Sequence, residues 1–159
     1  MEAIADILLE KFDAFGGYFK ELDFSEKGTL AVGFFGAPVA YENNIARALE
    51  CALAIKTDLF ELTPKYRNLH FQIGISAGMA YAGVIGSDER QQYAIVGNYV
   101  NLAARLMQQA AFGEILVDKN VVQVKNFDFT EKGNLNYKGF DEAIATYKLV
   151  RKRSDEKTI

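Results

Sequence analysis

Ile4, Ile7, Leu8, Phe12 and Phe15 recur at helical spacing with Glu2, Asp6, Glu10 and Lys11 between them. The chain therefore opens on an amphipathic helix, which stops at Gly16-Gly17. Leu30 to Phe35 is a continuous apolar run closed by Phe35-Gly36-Ala37-Pro38, and it predicts a buried strand ending in a turn. Asn43 or Asn44 can cap a second helix, whose Ile45, Leu49, Ala52, Leu53 and Leu59 form one stripe as far as Thr63-Pro64. From Leu69 to Ala77 apolar and polar positions alternate, with Leu69, Phe71, Ile73, Ile75 and Ala77 on the face predicted to be buried. Gly78 then starts a return run, Met79 to Ile85, predicted to form a hairpin with that strand. A polar tip from Ser87 to Gln92 leads to a short strand at Tyr93 to Val96. Tyr99 to Ala110 predicts a third helix, and Glu114 to Val117 and Ile144 to Val150 two further strands.

This order predicts an α+β fold with a mainly antiparallel sheet and helices on one face. A helix packed on a sheet usually follows a strand, yet none precedes the first helix, so the pattern reads as lacking its first strand. At 159 residues the expectation is one domain over 1–150. Residues 151–159 are expected to be a solvated tail, because Arg151, Lys152 and Arg153 are answered by Asp155 and Glu156.

Composition removes several function classes. Eighteen basic against twenty-one acidic side chains leave a net charge of −3, the wrong sign for gripping nucleic acid through its phosphates. The longest apolar stretches, such as Leu30 to Ala40, contain glycine and fall short of the ~20 residues a membrane helix needs. Met1 is followed by Glu2 and Asp6 rather than a basic leader, so no secretory signal is expected and a cytoplasmic location is. A single cysteine, Cys51, cannot close an internal disulfide and is expected to be buried and inert. A single histidine, His70, cannot build a His-rich metal site and reads as a solvent-facing strand residue. Gly74, Gly78, Gly83 and Gly86 precede no Gly-Lys-Ser/Thr step, so close packing and turns account for them better than a phosphate cradle.

The run from Tyr93 to Met107 resembles the signature of class III nucleotidyl cyclase domains, which make cyclic nucleotides from nucleoside triphosphates. In the family's order it is joined by Phe35-Gly36-Ala37-Pro38, Ile73-Gly74-Ile75 with Gly78, the run Ala82 to Ser87, and the run Gly113 to Val117. The resemblance implies a ferredoxin-like cyclase fold. It also implies a reaction in which the ribose 3′-hydroxyl attacks the α-phosphorus and expels pyrophosphate. That reaction needs positioning and positive charge where the transition state gathers negative charge. Asn101 and Arg105, four apart on the predicted third helix, share one face. An amide can orient the ribose, and a guanidinium can reach phosphoryl oxygens in a forked geometry. In family terms these two are similar to the catalytic asparagine and arginine.

The resemblance also implies substrate-binding positions. Lys20, after Gly16-Gly17, matches a base-selecting lysine; Ala94 and Val96 lie in the base-selecting stretch; Lys138 of Tyr137-Lys138-Gly139 matches a lysine that reaches the terminal phosphates. Ala94 stands where the family usually carries a polar residue, and alanine offers no hydrogen-bonding side chain to tell adenine from guanine.

The family binds two ions, Mg or Mn, through two aspartates, one on the first strand and one in a Gly-Asp step. Here that step is Gly28-Thr29, and threonine cannot replace an anionic Mg²⁺ ligand. Asp23 and Glu26 lie nearby in a segment longer than the family pattern and cannot be assigned the role. No metal ligand is therefore expected in this chain. The resemblance implies the metal-poor half of a cyclase acting on ATP or GTP, inactive alone and completed by a second cyclase domain or a second copy. It is most similar to the second domain of soluble tandem-domain adenylyl cyclases. The alternative is a non-catalytic regulatory or dimerisation module of cyclase ancestry, and a generic α+β interaction domain comes third.

Overall fold

Gly16 takes a φ of 76°, a left-handed value that a side chain resists, and the Gly17 N–H turns back 2.8 Å to the Phe12 carbonyl. Helix α1 (Glu2–Ala14) ends there, and strand β1 (Tyr18–Ser25) follows. The computed structural model describes residues 2–25, 28–36, 43–66, 69–78, 81–85, 92–96 and 98–153, which group into two compact units, 1–70 and 71–159.

In the first unit β1 pairs antiparallel with β2 (Gly28–Phe34). The Phe12 ring of α1 lies where a Cβ on Gly33 would be, and it stacks on Phe35 at 5.4 Å. A side chain at position 33 would displace that ring. Helix α2 (Asn44–Leu62) buries Leu49, Cys51, Ala52, Ile55 and Leu59, which matches most of the predicted stripe. Lys11 of α1 reaches Asp58 of α2 at 3.2 Å.

The second unit holds a four-stranded sheet in the order β3-β6-β8-β7, from β3 (Ile73–Ile75), β6 (Ile115–Asp118), β7 (Phe127–Leu135) and β8 (Ile144–Lys152). It also holds a two-stranded ribbon of β4 (Tyr81–Ile85) and β5 (Gln92–Val96). Leu102 and Leu106 of helix α3 (Asn98–Gln109), with Ala110 just past its end, pack against Leu116 and Tyr137 to form the core. Gly74 lets β3 run against the α3 backbone at Ala103 and Met107. Among the described residues four of five strand pairings are antiparallel, and β3 with β6 is parallel. The fold is α+β, as expected.

Several expectations are corrected. The hairpin is β4 with β5, not the 69–77 strand with its return run; β3 pairs in parallel with β6 instead. That strand is only Ile73–Ile75, with His70 exposed outside it, and its Gly74 faces α3 rather than solvent. The run Leu30 to Phe35 is not a buried strand: Leu30 is 41% exposed and Ala31 is exposed, in a sheet of two strands. β8 continues to Lys152, past the expected tail boundary, and Asp128 of β7 holds Arg151 at 2.8 Å and Arg153 at 2.5 Å. Glu26, Ala37-Pro38, Met79, Gly86, residues 87–91, Gly97, Asp155 and Glu156 lie outside the described residues.

Candidate active site

Helix α3 divides its residues between two faces. Leu102, Leu106 and Ala110 go to the core. Asn101, Ala104, Arg105 and Gln108 turn the other way and form one wall of a cleft of about 330 Å³, with Lys138, Gly139 and Phe140 as the other wall. The same spacing of four builds both faces, so the packing that fixes the helix also aims Asn101 and Arg105 into the cleft.

The second wall is held by a buried polar relay. The Thr146 hydroxyl donates to the Ile144 carbonyl at 3.0 Å, so the Tyr137 phenol supplies the proton of the 2.8 Å bond to Thr146 Oγ1. Tyr137 is buried, which raises its pKa against the opposing pull of Thr146. The Phe140 N–H closes a turn onto the Tyr137 carbonyl at 3.1 Å, and Gly139 takes a φ of 92° inside it. Phe140 packs against the core. Lys138 is left exposed at the lip, on a turn anchored at both ends.

Arg105 is half-buried, and its Nη1 donates to Gln108 Oε1 at 3.0 Å. Among the described residues, the charged side chains lining the cleft, Arg105 and Lys138, are both cationic, and no carboxylate lines it. Such a cleft is built for an anion. Three of the six predicted site residues, Asn101, Arg105 and Lys138, therefore meet in one place.

The other three lie elsewhere in the chain. Ala94 and Val96 are on β5, in register with Gly83 and Tyr81. Lys20 is exposed on β1 of the first unit, where the register with β2 slips between Phe19 and Glu21; Lys20 is thus the residue at an irregularity of the kind that re-aims a side chain. Gln108 and Phe140 escaped the sequence reading. The helical period was the available signal for Gln108, seven residues from Asn101 and three from Arg105.

A second cleft, of about 640 Å³, is lined by Lys125, Phe129, Tyr147 and Arg153 among others, and includes none of the predicted residues. Among the described residues no group of three or more His, Cys, Asp or Glu could hold a metal ion. Thr29, of the Gly28-Thr29 step, lies on β2 opposite Phe24. Among the described residues, the side chains present do not fit a two-ion centre. No helix among the described residues is long and apolar enough to cross a membrane.

The family profile described as "Adenylate and Guanylate cyclase catalytic domain" matches residues 10–151. The chain belongs to that family. It is 30% identical over 165 residues to "Adenylate cyclase 1" of Rhizobium meliloti (strain 1021), which covers 94% of this chain and 24% of that protein. It is 30% identical over 95 residues to human "Adenylate cyclase type 10", covering 58% of this chain and 6% of that protein. The chain thus spans under a quarter of the length of these curated relatives. Among solved structures, the adenylyl cyclase CyaB from P. aeruginosa superposes with a TM-score of 0.75 at 25% identity, over 98% of this chain and 86% of that one. The cyclase catalytic fold expected from the Tyr93 to Met107 signature is present.

Proposed function

We propose that this cyclase domain supplies the ribose and phosphate grip of a class III cyclase that converts ATP, or less favourably GTP, to the 3′,5′-cyclic nucleotide and pyrophosphate. The observation that carries the reading is the meeting of Asn101, Arg105 and Lys138 in one cleft, with no carboxylate among its described lining residues. ATP is favoured because the two relatives described above are named as adenylate cyclases. Asn101 hydrogen-bonds the ribose and holds the 3′-oxygen towards the α-phosphorus. Arg105 places two or more N–H donors on the phosphoryl oxygens as their charge grows. Lys138 meets the terminal phosphates as a point charge; the base-selecting roles of Lys20, and separately of Ala94 and Val96, are those that the family resemblance implies.

The metal ions, Mg or Mn, belong in this reading to a second cyclase domain, from the same protein or a second copy, and would neutralise triphosphate charge there. The partnership acts in the cytoplasm and needs no membrane span. Thr29 and Ala94 favour one rival, a regulatory or dimerisation module without catalysis.

One experiment separates the two. The chain alone with ATP and Mg²⁺ or Mn²⁺ should form no cyclic AMP. Mixed with a cyclase domain bearing both metal aspartates, it should restore turnover, and Arg105→Ala should remove it by about 100-fold or more. A partner that binds while the mixture stays silent selects the regulatory module. Turnover by the chain alone refutes the half-site reading.

A further inference from the structure

The cleft residues assigned above leave one polar side chain, among those described, without a role. Gln108 sits three residues after Arg105 on α3, lines the same cleft, and accepts a hydrogen bond from Arg105 Nη1 at 3.0 Å. We infer that Gln108 is a positioning residue, a neutral tether that aims the Arg105 guanidinium into the cleft; the inference rests on the function proposed above for Arg105.

The chemistry of the acceptor decides this. A guanidinium has five N–H donors in a rigid fork on a flexible stem, so an untethered arginine samples many rotamers before it meets a phosphoryl group. Binding one Nη1 proton to an acceptor on the same helix restricts that search and leaves the remaining donors for the substrate. A carboxylate could do the same holding, but it would spend the charge that the reaction needs. An amide oxygen holds the group and spends none. The cleft is consistent in this respect: among its described lining residues Arg105 and Lys138 are the charged ones, and the other polar side chains, Asn101 and Gln108, are both amides. The spacing of three makes the tether internal to one helix, so it is set before any partner or substrate arrives.

Two substitutions distinguish a tether from a bystander. Gln108→Met keeps the length and apolar stem but has no amide acceptor. Gln108→Glu keeps the acceptor and adds the opposing charge. The first readout is the Arg105 side-chain Nε–Hε signal by ¹⁵N relaxation on the full chain alone, which requires no activity. Gln108→Met should lower its order and Gln108→Glu should raise it. The second readout is turnover in the mixture with a metal-bearing cyclase domain. Gln108→Met should lower kcat by about 10-fold with KM little changed, and Gln108→Glu should lower it further despite the better-ordered arginine. In an Arg105→Ala background neither change should matter.

Unchanged Arg105 order in Gln108→Met overturns the inference. So does a loss of turnover that persists in the Arg105→Ala background, since the residue would then act by another route. If Arg105→Ala itself leaves turnover intact, the function reading fails and the inference with it. If Arg105→Ala abolishes turnover while Gln108→Met does not alter it, only the inference fails.

Discussion

Gly74 on β3 presses against Ala103 and Met107 of α3 so closely that a Cβ at position 74 would fall inside 3.0 Å of the Ala103 carbonyl oxygen and the Met107 nitrogen. Both obstacles are backbone, which cannot swing aside as a flexible side chain can. They also bracket Arg105, so the fit that seats the helix sets the height of the guanidinium in the cleft.

Gly74→Ala should therefore cost about 2–3 kcal/mol of stability, the upper part of the usual range for overpacking a core. Urea unfolding followed by circular dichroism measures it. A midpoint equal to that of the parent would mean α3 has room to move, and the close approach would lose its significance.

Lys138 stands on a turn held by Tyr137, Gly139 and Phe140, at the lip of a cleft with no carboxylate among its described lining residues. Lys138→Ala should weaken binding of inorganic tripolyphosphate to the chain by roughly 3- to 10-fold at low salt, a charge-assisted contact discounted for exposure. The difference should shrink as salt is added. Equal calorimetric affinities for parent and variant would place the anion elsewhere.

Cys51 is 1% exposed in the core side of α2, and burial pushes its thiol pKa from 9.0 up to about 12, against a small opposing pull from Lys11. Because the folded pKa is the higher one, its contribution to stability is intact below pH 9.0 and is lost as pH rises towards 12. Unfolding free energy should fall over that window, and less so in Cys51→Ala. Thiol labelling at neutral pH should wait for unfolding; fast labelling of the native chain would contradict the burial.

Asp128 accepts from Arg153 at 2.5 Å and from Arg151 at 2.8 Å, and these two bonds, Arg153 first, hold its carboxyl below the ordinary 3.8. A depressed folded pKa gives stability that is present above 3.8 and lost as pH falls through the lower folded value. Acid titration of stability should be shallower in Asp128→Asn than in the parent. Identical acid limbs for the two would show that the pair of arginines contributes nothing, as many exposed pairs do.

The three helices were legible because each carries a stripe at the period of 3.6 that only a helix can bury; Leu49, Ala52 and Leu59 show it on α2. β7 was not, since Glu131-Lys132-Gly133-Asn134 is polar and lies exposed at the edge of its sheet, where no apolar alternation is demanded. The misread hairpin has a related cause. Alternation says that a segment is a strand with two faces, but it carries no information on which strand lies beside it. β3 pairs in parallel with β6, some forty residues further along the chain, and a local turn signal at Gly78 could not reveal that.

Periodicity and motif alone determined that this chain is an α+β cyclase catalytic domain and that Asn101 and Arg105 share a helix face, because both follow from spacing along one element. Tertiary structure decided what stands across from that face: Lys138 and Phe140, delivered by a turn anchored through Tyr137 and Thr146. It also decided that Gly74 carries the helix. Those relations depend on backbone approach and side-chain geometry between groups up to dozens of residues apart. No local pattern encodes such distances.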